Sequence, residues 1–331
     1  MFKNFFSRSR TDLYPRKVDL ADQRRGFYGQ HRSGWPFVVS LLSQLHTSRG
    51  ILLDTFIERT FSWHPKGPRP NLRPWVGFIH VPPYVPYWFR YEQSNDYIFQ
   101  TDAWKRSLPY CRGLFTLSYY HKKSLETKLD LPINHLIFPT ETPELKWSWE
   151  KFEANREKKI VQVGWWLRKL HTIFMLPTRS YQKVFPDVPH AKIASLLKKE
   201  REILTQEGQF DDRMYDTAQM VTYVPNERYD EILSENLVII NLYDSSANNT
   251  VIECIVRNTP LLVNPIPAVI EYLGADYPFY FTSLEEAAEK AENSDLIYET
   301  HRYLLHHPIK EKLDGGYFLD SLVTSPIYQG L

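Results

Sequence analysis

Three stretches of this sequence hold residues whose types and spacing suit chemistry on a phosphorylated ligand. The first is Asp244-Ser245-Ser246-Ala247-Asn248-Asn249-Thr250, a polar run between an apolar stretch at 237–242 and the amphipathic segment 251–257. The apolar stretch reads as a parallel strand covered on both faces. Residues 249–257 read as a helix that stops at Asn258-Thr259-Pro260, because asparagine accepts a left-handed cap and proline cannot continue the helix. Residues 261–263 then return as a strand. A strand, loop, helix and strand in this order carry a helix N-terminus to the carboxyl end of a sheet, where open N–H groups and the helix dipole suit a phosphate. The second stretch is Gly164-Trp165-Trp166-Leu167-Arg168-Lys169, placed after a strand at 160–163. Its two cations would be an ordinary exposed pair without the strand-end glycine before them. The third is His80, which ends a strand at 75–79 and opens the loop Val81-Pro82-Pro83-Tyr84-Val85-Pro86-Tyr87-Trp88. Prolines stiffen that loop and aromatics line it. His80 is the best acid/base candidate, since an imidazole suits a general base near neutral pH; it reads equally well as a histidine bonded to the proline-rich loop.

Glu253 lies on the polar side of its helix. In the helix at 249–257, Val251, Ile252, Ile255 and Val256 fall on one side, and Thr250, Glu253 and Arg257 on the other. Thr250 and Glu253 fit a capping box, and Glu253 with Arg257 fits an i,i+4 ion pair worth a few tenths of a kcal/mol. The functional alternative is a carboxylate that accepts sugar or ribose hydroxyls beside a helix-bound phosphate. Spacing alone leaves all three open. His121 and His171 read as helix-surface residues, and Trp165 and Trp166 as core rather than sugar platforms.

The elements that position these residues alternate along the chain. Before 140, strands at 75–79, 113–117 and 134–138 are interleaved with helices, the last of which is capped by Ser118. The proline-rich segment 139–144 breaks the pattern and a charged stretch follows. A second alternating series runs from 160 to about 291, with irregular sequence at 177–189. Alternation of this kind implies parallel α/β sheets. At 331 residues the chain is long enough for two domains. The expected division is a Rossmann-like N-terminal domain over 1–140, a linker over 141–158, a second Rossmann-like domain over 159–305, and a helical tail over 306–331 that packs back on the first. Two such halves face each other across a cleft at the carboxyl ends of their strands, where ligands bind.

Composition narrows the classes of partner. Net charge is +1 with 24% charged residues, which disfavours nucleic-acid binding. Cys111 and Cys254 lie far apart without metal-ligand spacing and read as core thiols of a reducing compartment. No apolar run approaches transmembrane length. The start, MFKNFFSRSR, reads as a frayed terminus, with contact to an anionic membrane surface as the alternative. The expected location is therefore cytoplasmic, with at most peripheral membrane association. Aromatics make up 15% of residues, a content that would suit carbohydrate if some rings lie near the cleft.

With these residues the chain resembles GT-B glycosyltransferases that take a nucleotide-sugar donor in the C-terminal half. The segment SSANNTVIECIVRNTPLLV is similar to the one that holds the donor diphosphate and ends in a helix glutamate; VQVGWWLRKL is similar to the glycine-bearing strand end with its basic pair. VTYVPNERYDEIL is similar to the segment flanking the nucleotide base, and GLFTLSYYHKKSLETKL with IFPTE to the close of the acceptor domain. The resemblance implies that Ser246, Asn248, Asn249 and Thr250 surround the diphosphate and that Glu253 holds donor hydroxyls. It further implies that Gly164, Arg168 and Lys169 meet the leaving group, and that Tyr223, Val224 and Pro225 border the base. One position departs: many retaining members carry two glutamates eight positions apart, and here the position eight before Glu253 is Ser245.

The expected function is transfer of a sugar from a nucleotide-sugar donor to a saccharide, glycolipid or other hydroxyl acceptor, in polysaccharide or glycan synthesis. No metal or other cofactor is expected if Arg168, Lys169 and the helix end carry the charge. A nucleotide-sugar epimerase on the same scaffold and a non-catalytic glycan-binding protein of this fold are the alternatives.

Overall fold

The computed structural model describes residues 14–21, 23, 34–185, 190–221 and 224–331. The basic and aromatic start of the chain and Tyr223 lie outside the described residues. Among those described, two parallel sheets form, each of five strands. The first contains β1 (Val18–Asp19), β2 (Ile51–Asp54), β3 (Trp75–Phe78), β4 (Cys111–Thr116) and β5 (Ile133–His135), in that spatial order. The second contains β6 (Lys159–Gln162), β7 (Gln182–Phe185), β8 (Ala218–Met220), β9 (Leu237–Ile240) and β10 (Leu261–Val263), in the order β10-β9-β6-β7-β8.

The strongest local signals formed the elements that they specify. The apolar run at 237 became β9, buried along its whole length. The helix Asn249–Arg257 ends at Asn258 with φ 62°, the left-handed cap that asparagine tolerates. Weaker signals shifted. The run 221–224 reads as a strand, but 222 and 223 lie outside the described residues and β8 ends before it, at Met220. The run 278–281, also strand-like in sequence, contributes only an isolated bridge, Val263 to Tyr280. The stretch 177–189, read as irregular, contains β7, an inner strand paired with both β6 and β8. Its pattern is hidden by Lys183, whose stem is buried while its ammonium group donates to the carbonyls of Phe174 and Leu176 at 3.1 and 2.9 Å.

Segments outside the two sheets are bound to one half or the other. Trp147 is buried and bonds the second half, its backbone N–H to the Arg257 carbonyl at 2.8 Å and its indole to that of Asn236 at 3.1 Å. The helix Gly315–Val323, near the C-terminus, returns to the first half, where Phe318 lies 6.2 Å from Phe78 and the Thr140 N–H donates to the Leu313 carbonyl at 2.9 Å. Among the described residues no helix is long and apolar enough to cross a membrane.

Candidate active site

In the second sheet the strand order reverses between β6 and β9, so the loops that follow these two strands diverge and leave a crevice at their carboxyl ends. The first half faces that crevice with the loops that follow β2 and β3. Together they enclose a cavity of about 530 Å³, within the usual range for a small-molecule site.

On the side of the second half, the wall is built around a helix end. Asn248 caps the helix Asn249–Arg257, its side-chain oxygen accepting from the N–H groups of Thr250 and Val251 at 3.0 and 3.3 Å. Arg168 reaches the same corner. Its Nη2 donates to Asn248 Oδ1 at 3.3 Å and Thr250 Oγ1 at 3.0 Å, while Nε and Nη1 hold the carbonyls of Val163 and Trp166. Burial pulls its pKa down to about 10, against the opposing pull of Tyr229 and Glu253, so it stays charged at neutral pH. Gly164 makes this approach feasible: it has φ 75°, and a Cβ there would sit 2.9 Å from the guanidinium. Of the two cations read as meeting the leaving group, Arg168 is buried on the cavity wall, while Lys169 is exposed, does not line the cavity, and has its ammonium group 5.8 Å from the centre of the Tyr243 ring.

Glu253 takes neither of the local structural roles that spacing allowed. The cap is Asn248 rather than Thr250, and the ion pair of Arg257 runs to Asp230 at 2.8 Å. Glu253 is buried and accepts the Tyr229 hydroxyl at 3.0 Å. Of the residues that the resemblance implicated, the structure brings Gly164, Arg168, Ser246, Asn248 and Asn249 to one corner, with all but Gly164 on the cavity wall. Thr250 and Glu253 are buried and do not line the cavity, and Val224 and Pro225 line a separate crevice of about 220 Å³.

His80 stands on the opposite wall, fixed by residues of the loop after β2. Its Nε2 lies 3.0 Å from the carbonyl oxygen of Thr55, and the Phe56 ring stacks on it with centroids 4.1 Å apart. Trp35 meets the imidazole edge-on, also at 4.1 Å. A carbonyl only accepts, so the proton is on Nε2 and Nδ1 is the basic nitrogen. Burial lowers the pKa to about 4 and keeps the ring neutral. The ring is therefore bonded to the loop after β2 and not, as the sequence suggested, to the proline-rich loop that it opens, and this partner occupies Nε2 alone.

Sequence reasoning missed one residue of this wall, Arg90, and one buried group that holds the wall's backbone, Glu58. Glu58 is fully buried, and its Oε1 accepts from the backbone N–H groups of His80 and Val81, both at 2.7 Å; burial pushes its pKa up to about 7. Arg90 lines the cavity from the loop after β3 with φ 48°. Neither sits in a periodic pattern. The signal for Arg90 was its place at the end of the proline and aromatic loop.

Polar contacts join the halves beside the cavity. Asp244 accepts from the Tyr84 N–H at 2.9 Å and the Tyr120 hydroxyl at 3.2 Å. His121 is fully buried, correcting its reading as a surface residue: Asn95 Nδ2 donates to its Nε2 at 3.1 Å, and its Nδ1 donates to Ser246 Oγ at 2.8 Å. His171 is buried too, between Glu200 at 2.6 Å and the Tyr215 hydroxyl at 2.7 Å, away from the cavity wall. Among the described residues no group of three or more His, Cys, Asp or Glu is placed to hold a metal ion.

No protein-family model matches the chain, and no curated protein matches it in sequence. Solved structures do match. HepE of Anabaena, described in complex with UDP and glucose, superposes with a TM-score of 0.56 at 8% identity, over 76% of this chain and 71% of that one. A trehalose-6-phosphate synthase gives a TM-score of 0.55 at 11% identity, over 87% and 76%. TarM of S. aureus, described with UDP and α-GlcNAc-glycerol, gives 0.55 at 12% identity, over 77% of this chain. The chain spans only half the length of TarM, 50%, and 65% of a trehalose-phosphate synthase from Burkholderia vietnamiensis. Two parallel α/β halves facing across a cavity, matched to these glycosyltransferases, show that this chain has the GT-B fold.

Proposed function

We propose that the chain is a glycosyltransferase that moves a sugar from a nucleotide-sugar donor to the hydroxyl of a saccharide or glycolipid acceptor. The observation that carries this reading is the pairing, across one cavity, of a helix N-terminus and Arg168 on one wall with the His80 ring on the other. As the acceptor oxygen bonds the anomeric carbon, the bond from that carbon to the diphosphate breaks and negative charge grows on the leaving phosphate. The Asn249 end of the helix and the Arg168 guanidinium are placed to stabilise that charge as it develops. The acceptor proton passes to His80 Nδ1. A pKa of about 4 is low for a base, but a diphosphate in the cavity adds the negative charge that raises it.

In this reading Arg168 and the helix end meet the leaving group without a metal, and Lys169 assists from the rim. Glu253 takes donor hydroxyls once Tyr229 yields its place, and residues 223–225 border the base. The reaction belongs to polysaccharide or glycan synthesis in the cytoplasm, with at most peripheral contact to a membrane. UDP sugars are the first donors to test, because HepE and TarM are described with UDP.

The test is a panel of nucleotide sugars. Melting temperature and nucleotide release are followed with and without acceptors, for the wild type and for His80→Ala. At least one nucleotide should raise the melting temperature. The variant should keep its nucleotide affinity while turnover falls by about a hundredfold or more. Binding of a nucleotide without turnover on any acceptor would support a non-catalytic glycan-binding protein. Failure of every nucleotide to bind would remove the donor-site reading altogether.

A further inference from the structure

Among the described residues, two hydrogen-bond donors of the first half, in residues that line the cavity, have no acceptor. One is Nε of Arg90, and the other is the indole Nε1 of Trp35, a residue only 6% exposed. A buried donor without an acceptor destabilises the fold, and a charged one more so. Arg90 carries a second penalty, a left-handed backbone at φ 48°, ψ 48°, where a side chain with a Cβ is disfavoured. A left-handed backbone and a buried Nε without an acceptor in one cavity-lining arginine, itself partly exposed, point to a ligand that completes the site.

Arg90 differs in this from the other charged groups of the cavity. Arg168 is engaged by four protein acceptors, and Asp244 by the N–H groups of Tyr84 and Ser245 and the Tyr120 hydroxyl. The same wall carries a row of rings. Trp35 meets His80 at 4.1 Å, His80 stacks on Phe56 at 4.1 Å, and Phe56 meets Trp63 at 5.6 Å. Trp63 is 40% exposed, so the row runs from the buried interior to the surface. Such a ledge suits the apolar face of a sugar ring.

We propose that Arg90 binds an anionic group on the acceptor: the acceptor is a saccharide bearing a phosphate or a carboxylate, laid along the Trp35 to Trp63 row. This rests on the glycosyl-transfer reading above. Arg90 is assigned to the acceptor rather than the donor diphosphate because it belongs to the half that carries the ring row, and the helix end across the cavity has its own cation in Arg168. A guanidinium also makes two parallel hydrogen bonds to either anion, which a neutral sugar cannot match.

The test measures binding of glucose, glucose 6-phosphate and glucuronate to the full chain by calorimetry, with and without UDP. The proteins are the wild type, Arg90→Gln and Arg90→Gly. The wild type should prefer one or both anionic sugars over glucose by about tenfold or more, and which one binds separates phosphate from carboxylate. Arg90→Gln should abolish the preference and leave UDP affinity unchanged. Arg90→Gly should lose it as well, yet melt no lower than the wild type, because glycine accepts the left-handed conformation. Equal or absent binding of all three sugars, with UDP still bound, overturns the inference and leaves the donor reading intact. Loss of UDP affinity in Arg90→Gln, with the sugar preference kept, also overturns it and assigns the arginine to the donor. An anion preference in a protein that binds no nucleotide supports the Arg90 site and sinks the transfer reading.

Discussion

At His80 one ring nitrogen is held by a backbone carbonyl, the other is the proposed base, and burial sets the charge state of the ring. His121 is a parallel case without the chemistry: both its nitrogens are used, one across the boundary between the halves. Burial lowers the pKa of His80 from 6.5 to about 4 and that of His121 to about 3. A depressed histidine favours the fold above its ordinary pKa, and the benefit is lost as pH falls toward the folded value. Glu58 acts in the opposite sense: raised from 4.5 to about 7, it favours the fold in acid and loses that benefit as pH rises through 7. His135, His301 and His307, also lowered by burial, add to the histidine side, while the raised Asp54 and Asp244 add to that of Glu58. As pH falls from 6.5 toward 4 the depressed His80 and His121 each lose their contribution, so each is a source of acid sensitivity. His121→Asn retains groups that can bond Ser246 but does not titrate, so its melting temperature should fall less from pH 7 to pH 5 than that of the wild type. Equal falls would show that His121 is not a source of the acid sensitivity.

At the scale of elements, the cap of the helix Asn249–Arg257 joins three parts of the site, because one oxygen of Asn248 serves two helix N–H groups and Arg168. Asn248→Ala should therefore cost about 1–2 kcal/mol of stability by denaturant unfolding and should also weaken nucleotide binding by calorimetry. A stability loss with unchanged affinity would make the cap structural alone. This helix was legible in the sequence from end to end, since an apolar run, a polar loop and an Asn-Thr-Pro stop are all local signals. What the sequence hid was set by contacts distant along the chain. His121 lies on a short helix whose partners, Asn95 and Ser246, come from other elements, so its spacing suggested a surface. β7 was obscured by a lysine buried along its stem. Glu58 gains its role from backbone groups of residues 80 and 81, which no side-chain pattern reveals.

At the scale of the molecule, the two halves are held face to face by side chains that also border the cavity. Asp244 and Ser246 of the second half bond the first, and Glu271 accepts the Tyr119 N–H at 2.7 Å. The GT-B architecture survives at 8–12% identity to the solved structures compared. That is expected if buried strand runs and helix ends, rather than particular side chains, specify the two sheets. The central claim is that a nucleoside diphosphate binds with its phosphates between the helix end and Arg168. The most direct measurement is a crystal structure of the chain with UDP, or with whichever nucleoside diphosphate most raises the melting temperature. The terminal phosphate should lie within hydrogen-bonding distance of the Asn249 N–H and the Arg168 guanidinium, with His80 facing it across the cavity. A nucleotide found elsewhere, with that corner unchanged, would contradict the account.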